Sequence, residues 1–196
     1  MKQISRWTPA LLLLLSACAS APRAESSAGA ESAFLVRLGN DTLAAERYTR
    51  TATRLEGRLL NRSPNATVRD YTATFAPDGT LSDVHTSISR AGESRPYSSA
   101  HIRFVGDSAL VTLEEGDSVR TIHVAAPHGT IPQLSNSFAF YEQATMQARR
   151  AGADSVRVPQ LPIGGRQTST LLLQRLGADS MLLTTIAGPM HVRVDR

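Results

Sequence analysis

His85, His101 and Asp83 are the residues whose types and spacing come nearest to a chemical site. Each falls on the polar side of a segment that alternates in hydropathy. Val84, Thr86 and Ile88 alternate with Asp83, His85 and Ser87, and Ala100, Ile102 and Phe104 alternate with His101 and Arg103. A hairpin centred near Glu93 would set His85 opposite His101 and Asp83 opposite Arg103. The second match is a cross-strand ion pair worth about a few tenths of a kcal/mol. Two imidazoles can share a metal ion, but a metal site needs three or four ligands. The segment from Arg90 to Ser98 is also too long a turn to fix the register. The expectation is therefore two solvated histidines and no metal; a hydrolase or metal site would require Asp83, His85 and His101 to converge.

Other chemistries lack their residues. No Gly-x-Ser-x-Gly elbow, Ser-x-x-Lys motif or His-Glu-x-x-His spacing occurs, and Lys2 is the only lysine. His123 and His128 merely flank Pro127. Gly164-Gly165 stands outside any dinucleotide or phosphate-loop pattern. Glu114 and Glu115 are neighbours on an extended segment, so they point to opposite faces and make no acid–base pair. No catalytic residue and no cofactor is expected.

The aromatic residues Phe138, Phe140 and Tyr141 are the candidate ligand or lid residues. They lie in the stretch 136–151, which has no Gly or Pro, is rich in helix formers, and reads as a helix. Ser135 or Asn136 is placed to cap its start, Arg149 and Arg150 suit the negative end of the dipole, and Gly152 can close it. Phe138 and Tyr141 share one face, and Phe140 points nearly the opposite way. Such a helix is either a plug buried on both sides or a lid over an apolar ligand.

The elements that must position these groups are strands. Period-two alternation runs through Phe34–Leu38, Arg54–Leu59, Asp83–Ile88 and Ala100–Phe104, which means strands with one buried face and antiparallel pairing. A turn motif of Gly, then Asp, then Ser or Thr recurs at Gly39, Gly106, Gly116, Gly152 and Gly177, and Pro77-Asp78-Gly79-Thr80 is a further β-turn. Val158 to Gly165 reads as a connection. Final strands are expected near 168–176, 180–187 and 190–195, with Gly188-Pro189 as the last turn. The fold class is mainly β: one strongly curved antiparallel sheet or open barrel of about 9–11 strands, with the helix on its concave side.

The start of the chain carries an address. Lys2 and Arg6 precede an apolar run centred on Leu11–Leu15, followed by Leu15-Ser16-Ala17-Cys18. This resembles the signal peptide and lipobox of bacterial lipoproteins, a resemblance confined to these residues. It implies cleavage before Cys18, lipidation of Cys18, and a place in the cell envelope; Ala19 after the cysteine leans towards the periplasm-facing outer membrane. The apolar run is far shorter than the roughly 20 residues of a membrane span. The expected organisation is a signal peptide at 1–17, a small, polar tether at 18–33, and a single β-rich domain at 34–196.

Of the 21 basic residues, Lys2 and Arg6 leave with the signal, so 19 remain against 17 acidic ones. That near balance excludes a nucleic-acid binder. Cys18 is the only cysteine, so disulfides and thiolate sites are excluded as well. The layout resembles in outline the open-barrel carriers and chaperones of lipoprotein trafficking. The expected function is a non-enzymatic envelope lipoprotein that binds an apolar small molecule or lipid. The alternatives are an interaction protein docking on an envelope partner, and a hydrolase or metal site on the polar sheet face.

Overall fold

The computed structural model describes residues 29–62, 65–185 and 188–193. Cys18 and the lipobox lie outside the described residues. The alternating first half of the chain folds into a meander of eight strands: β1 (Ala30–Leu38), β2 (Asp41–Arg50), β3 (Arg54–Asn61), β4 (Thr67–Phe75), β5 (Leu81–Arg90), β6 (Ser98–Val105), β7 (Ser108–Glu115) and β8 (Ser118–Ala125). Each pairs antiparallel with its neighbours in sequence. Three of the hairpins turn on Gly39, Gly106 and Gly116, all with φ near +60°, where a side chain would be strained.

The second half forms β9 (Ile131–Gln133), α1 (Phe138–Ala151), β10 (Ser155–Pro162), β11 (Ser169–Arg175), β12 (Ser180–Thr185) and β13 (Gly188–Arg193). Its strands make a curled half-barrel in the order β13-β12-β11-β10-β9. All pairs are antiparallel except β9 with β10, which run parallel because the helix carries the chain back between them.

The mainly β class with one helix is as expected, but the described residues hold thirteen strands in two sheets rather than one sheet of nine to eleven. The segment read as a connection from Val158 is the inner strand β10. Its prolines disguised it: Pro159 pairs with Thr170 on β11 just before the short β9 begins to pair, so its missing N–H falls where the strand has one neighbour. β1 begins at Ala30, so residues 30–33, expected to lie before the domain, belong to its first strand. Gly188-Pro189 starts β13 rather than forming the turn, Gly188 pairing with Thr185.

The core lies between the two sheets and holds the helix. Leu55, Tyr71, Val84, Ile102 and Val111 come from the inner face of the first sheet, and Leu161, Leu171, Leu173 and Leu183 from the second. Ala139, Ala144 and Ala148 are fully buried along the helix, small enough to bring it close to both. Among the described residues no helix is long and apolar enough to cross a membrane.

Candidate functional site

The helix is held as a fixed part of the core. Phe140 is buried and packs on Tyr71 with ring centroids 5.4 Å apart. Phe138 stacks on Phe34 at 5.4 Å and meets Tyr141 edge-on at 6.0 Å, and Phe34 stacks in turn on Tyr48. The three aromatics, expected to belong to either a plug or a lid, therefore pack on opposite sides of one helix. The crevice bordered by Leu134, Phe140, Tyr141 and Gln160 has a volume of about 0 Å³ and admits not even water.

The start of the helix is fixed by a residue from another element. Ser137 stands at the N-cap position, not Ser135 or Asn136, and its side chain does not cap. Instead the buried carboxylate of Glu46 on β2 accepts the Phe138 N–H at 2.5 Å and the Ala139 N–H at 3.2 Å. Its other oxygen accepts the Ser137 hydroxyl at 2.6 Å and the Tyr71 hydroxyl at 2.7 Å. A carboxylate there satisfies free N–H groups and faces the positive end of the helix dipole. Burial, and then the Glu46 charge, pushes the Tyr71 phenol above its ordinary pKa. Glu142, one turn along and accepting from Tyr48, is also raised, by burial and then by Glu46.

At the other end of the helix, Arg50 donates to Gln143 and lies 4.3 Å over the Phe75 ring. Burial and the nearby Arg150 lower its pKa to about 10. Gln143 and Arg150 donate to the carbonyls of Gly79 and Asp78, tying the helix to the turn after β4.

The open space lies on the opposite face of the eight-stranded sheet. A twisted sheet is saddle-shaped, so its outer face is hollow along one diagonal. One trough of about 520 Å³ runs over β3 to β7, between Arg58, Thr72, His85, Ser99, His101 and Glu114. A second, of about 670 Å³, runs over β1 to β4 and includes Ala33, Leu35, Ala45, Arg47 and Leu60. They adjoin one another at Glu56, Gly57, Arg58 and Asp70, which border both.

The lining changes character along that length. Register sets Leu35, Ala45, Leu60 and Val68 side by side across β1 to β4, an apolar row on the outer face. Leu35 is 63 % exposed. Further along, the lining is polar: Arg58 grips Asp70 at 2.6 and 3.1 Å, and Ser99 donates to the Glu114 carboxylate at 2.9 Å.

At the polar end, β5 and β6 adopt the foreseen register, with His85 opposite His101 and Asp83 opposite Arg103. The consequence differs from the expectation, because Asp83 turns from Arg103 to both imidazoles. His101 Nε2 lies 2.7 Å from one of its oxygens and His85 Nε2 lies 3.1 Å from the other. The two rings stack with centroids 3.7 Å apart and planes 17° from parallel. The side chains of Asp83 and His101 are only about one-third exposed, 30 % and 34 %, so they are not freely solvated. His128 is elsewhere, 3.0 Å from Asp78 on the turn after β4.

Sequence reasoning placed His85, His101 and Asp83 on one face and missed their convergence. It also missed Glu46 and the apolar row. The signal for the row was present, since Leu35 and Leu60 stand out of phase with the buried positions of their strands.

No family model and no curated protein matches the chain. A DUF1089 family protein from Pseudomonas aeruginosa, known from its crystal structure, superposes with a TM-score of 0.54. The match covers 80 % of this chain and 86 % of that one at 18 % identity. The likeness is one of fold.

Proposed function

We propose that this chain is an envelope lipoprotein, anchored through Cys18, that binds an amphipathic small molecule or lipid in the trough on the outer face of its eight-stranded sheet. The observation that carries the reading is the adjacency of the two troughs on one sheet face, one lined by Ala33, Leu35, Ala45 and Leu60 and the other by hydroxyls, imidazoles and charged groups. An apolar stripe of that kind, exposed beside polar groups, favours a ligand that is itself apolar at one end. The filled core around Phe140 moves the ligand away from the helix. The address supports the same reading: eleven residues separate Cys18 from Ala30, which keeps β1 within about 40 Å of the lipid.

The test is native mass spectrometry of the full mature chain released from detergent, with solvent extraction of co-purifying material. A stoichiometric amphipathic adduct that is lost in Leu35→Glu/Leu60→Glu, but kept in a variant of the distant Val105, is the expected result. A clean apoprotein that takes up no fluorescent lipid would sink the binding reading. Acylation is read separately from the mass of the mature N-terminus, which Cys18→Ser should leave without lipid.

A second reading has its own support. β1 is an edge strand with no neighbour on its outer side among the described residues, and Leu35 and Leu38 are both well exposed there. Such an edge can take up a partner strand. An envelope partner captured by the wild type and lost in Leu38→Lys, with no ligand found, would favour docking over carriage.

A further inference from the structure

We propose that Asp83, His85 and His101 form a binding site for a divalent transition-metal ion of the zinc class. One atom from each side chain lies within 4.8 Å of the other two. The contacts from the two Nε2 atoms to Asp83, 2.7 and 3.1 Å, fall somewhat short of the spacing of about 3.3 Å between donors in a tetrahedral site with bonds near 2.0–2.1 Å. Binding one ion through all three donors requires the two imidazoles to swing out of their stack, a side-chain rotation that leaves the strands in place.

The backbone supplies the preorganisation. His85 and His101 are register partners on adjacent strands, and Asp83 is two residues from His85 on the same face. All three Cβ positions are therefore fixed by sheet pairing, and no loop has to order. Each imidazole now needs a proton on Nε2 to bond the carboxylate. Metal binding asks only that this proton move to Nδ1, so neutral rings stay neutral and the ion takes the place of two hydrogen bonds.

The donor set narrows the ion. Two imidazole nitrogens and one carboxylate suit zinc, cobalt, nickel, copper or iron, and disfavour calcium and magnesium, which take oxygen ligands. Three protein donors leave at least one position open, as in sites where a water or ligand oxygen completes the coordination. The histidines line the 520 Å³ trough, so that position faces open space. Thr72 and Thr112 flank His85 and His101 in register and can contact such an oxygen. The site stands on its own geometry and does not depend on an amphipathic ligand.

The experiment is titration of the full chain, without a polyhistidine tag, with Zn²⁺ by calorimetry and with Co²⁺ by visible absorption. The expected result is saturable binding of one ion per chain, with the absorption of a four- or five-coordinate cobalt site. His85→Ala, His101→Ala and Asp83→Asn should each weaken binding at least about tenfold. His123→Ala and His128→Ala should leave it unchanged. Circular dichroism would show that the variants are folded, and the well-exposed His85 is the variant least able to disturb the sheet. Absence of saturable binding up to about 1 mM ion overturns the proposal. So does one-to-one binding that survives both Asp83→Asn and His101→Ala.

Discussion

Glu46 and Phe138 are 92 residues apart in the chain, yet the carboxylate of the first accepts the backbone N–H of the second at 2.5 Å. The helix is thus capped by a strand of the first sheet, not by its own flanking residues. Replacing Glu46 by Ala strands the Tyr71 and Ser137 hydroxyls and two helix N–H groups in the core. We expect a loss of about 3 kcal/mol or more, read from urea denaturation. A loss under about 1 kcal/mol would mean that water can replace the carboxylate.

Glu142 makes stability depend on pH. Its pKa is raised in the folded protein by burial and by Glu46. A carboxyl with a raised folded pKa contributes fully below its unfolded pKa, and the contribution is lost as pH rises through the folded value. The wild type should therefore gain stability relative to Glu142→Gln on going from about pH 7.5 to about pH 5. Parallel melting curves for the two proteins across that window would contradict the assignment.

Gly57 sits in the middle of β3 because Tyr71 crosses its position. A Cβ there would lie 2.3 Å from the Tyr71 hydroxyl oxygen and 2.7 Å from the Tyr48 Cβ. The phenol is tethered to Glu46 and cannot yield cheaply. Gly57→Ala should cost about 1–3 kcal/mol by overpacking, although alanine suits a strand better than glycine. An unchanged denaturation midpoint would show that Tyr71 can leave Glu46 freely.

Phe140 separates plug from lid. Truncation to alanine removes a buried ring packed on Tyr71 and should cost about 3–5 kcal/mol. If the ligand sits in the outer trough, its affinity should not change at a temperature where Phe140→Ala is folded. An affinity loss larger than about tenfold, seen by lipid displacement, would return the ligand to the helix.

Much of this was legible in the sequence because alternation reports the face of every strand. It placed Asp83, His85 and His101 together on the polar side, and Gly152 duly closes the helix in the left-handed conformation. Rotamer choice is not written in a period-two pattern, so the turn of Asp83 away from Arg103 towards the imidazoles could not be read. Nor could the role of Glu46, since a lone acid on a strand gives no sign of the helix it will meet. β10 was hidden by Pro159 and Pro162, which count against a strand unless the shortness of its parallel neighbour is known. The apolar row needed the registers of β1 to β4, which turn lengths alone do not supply.

The meander has a consequence for the order of assembly. Strands β1 to β8 meet only their sequence neighbours, so their pairing closes short loops and the sheet can grow one hairpin at a time from either end. Its inner face cannot be finished that way. Until the helix arrives, Glu46 has no N–H groups to receive it and Tyr71 lacks the ring of Phe140. That face is completed only when the helix docks with its two flanking parallel strands, and a sheet lacking them would leave its inner apolar residues open to neighbouring molecules.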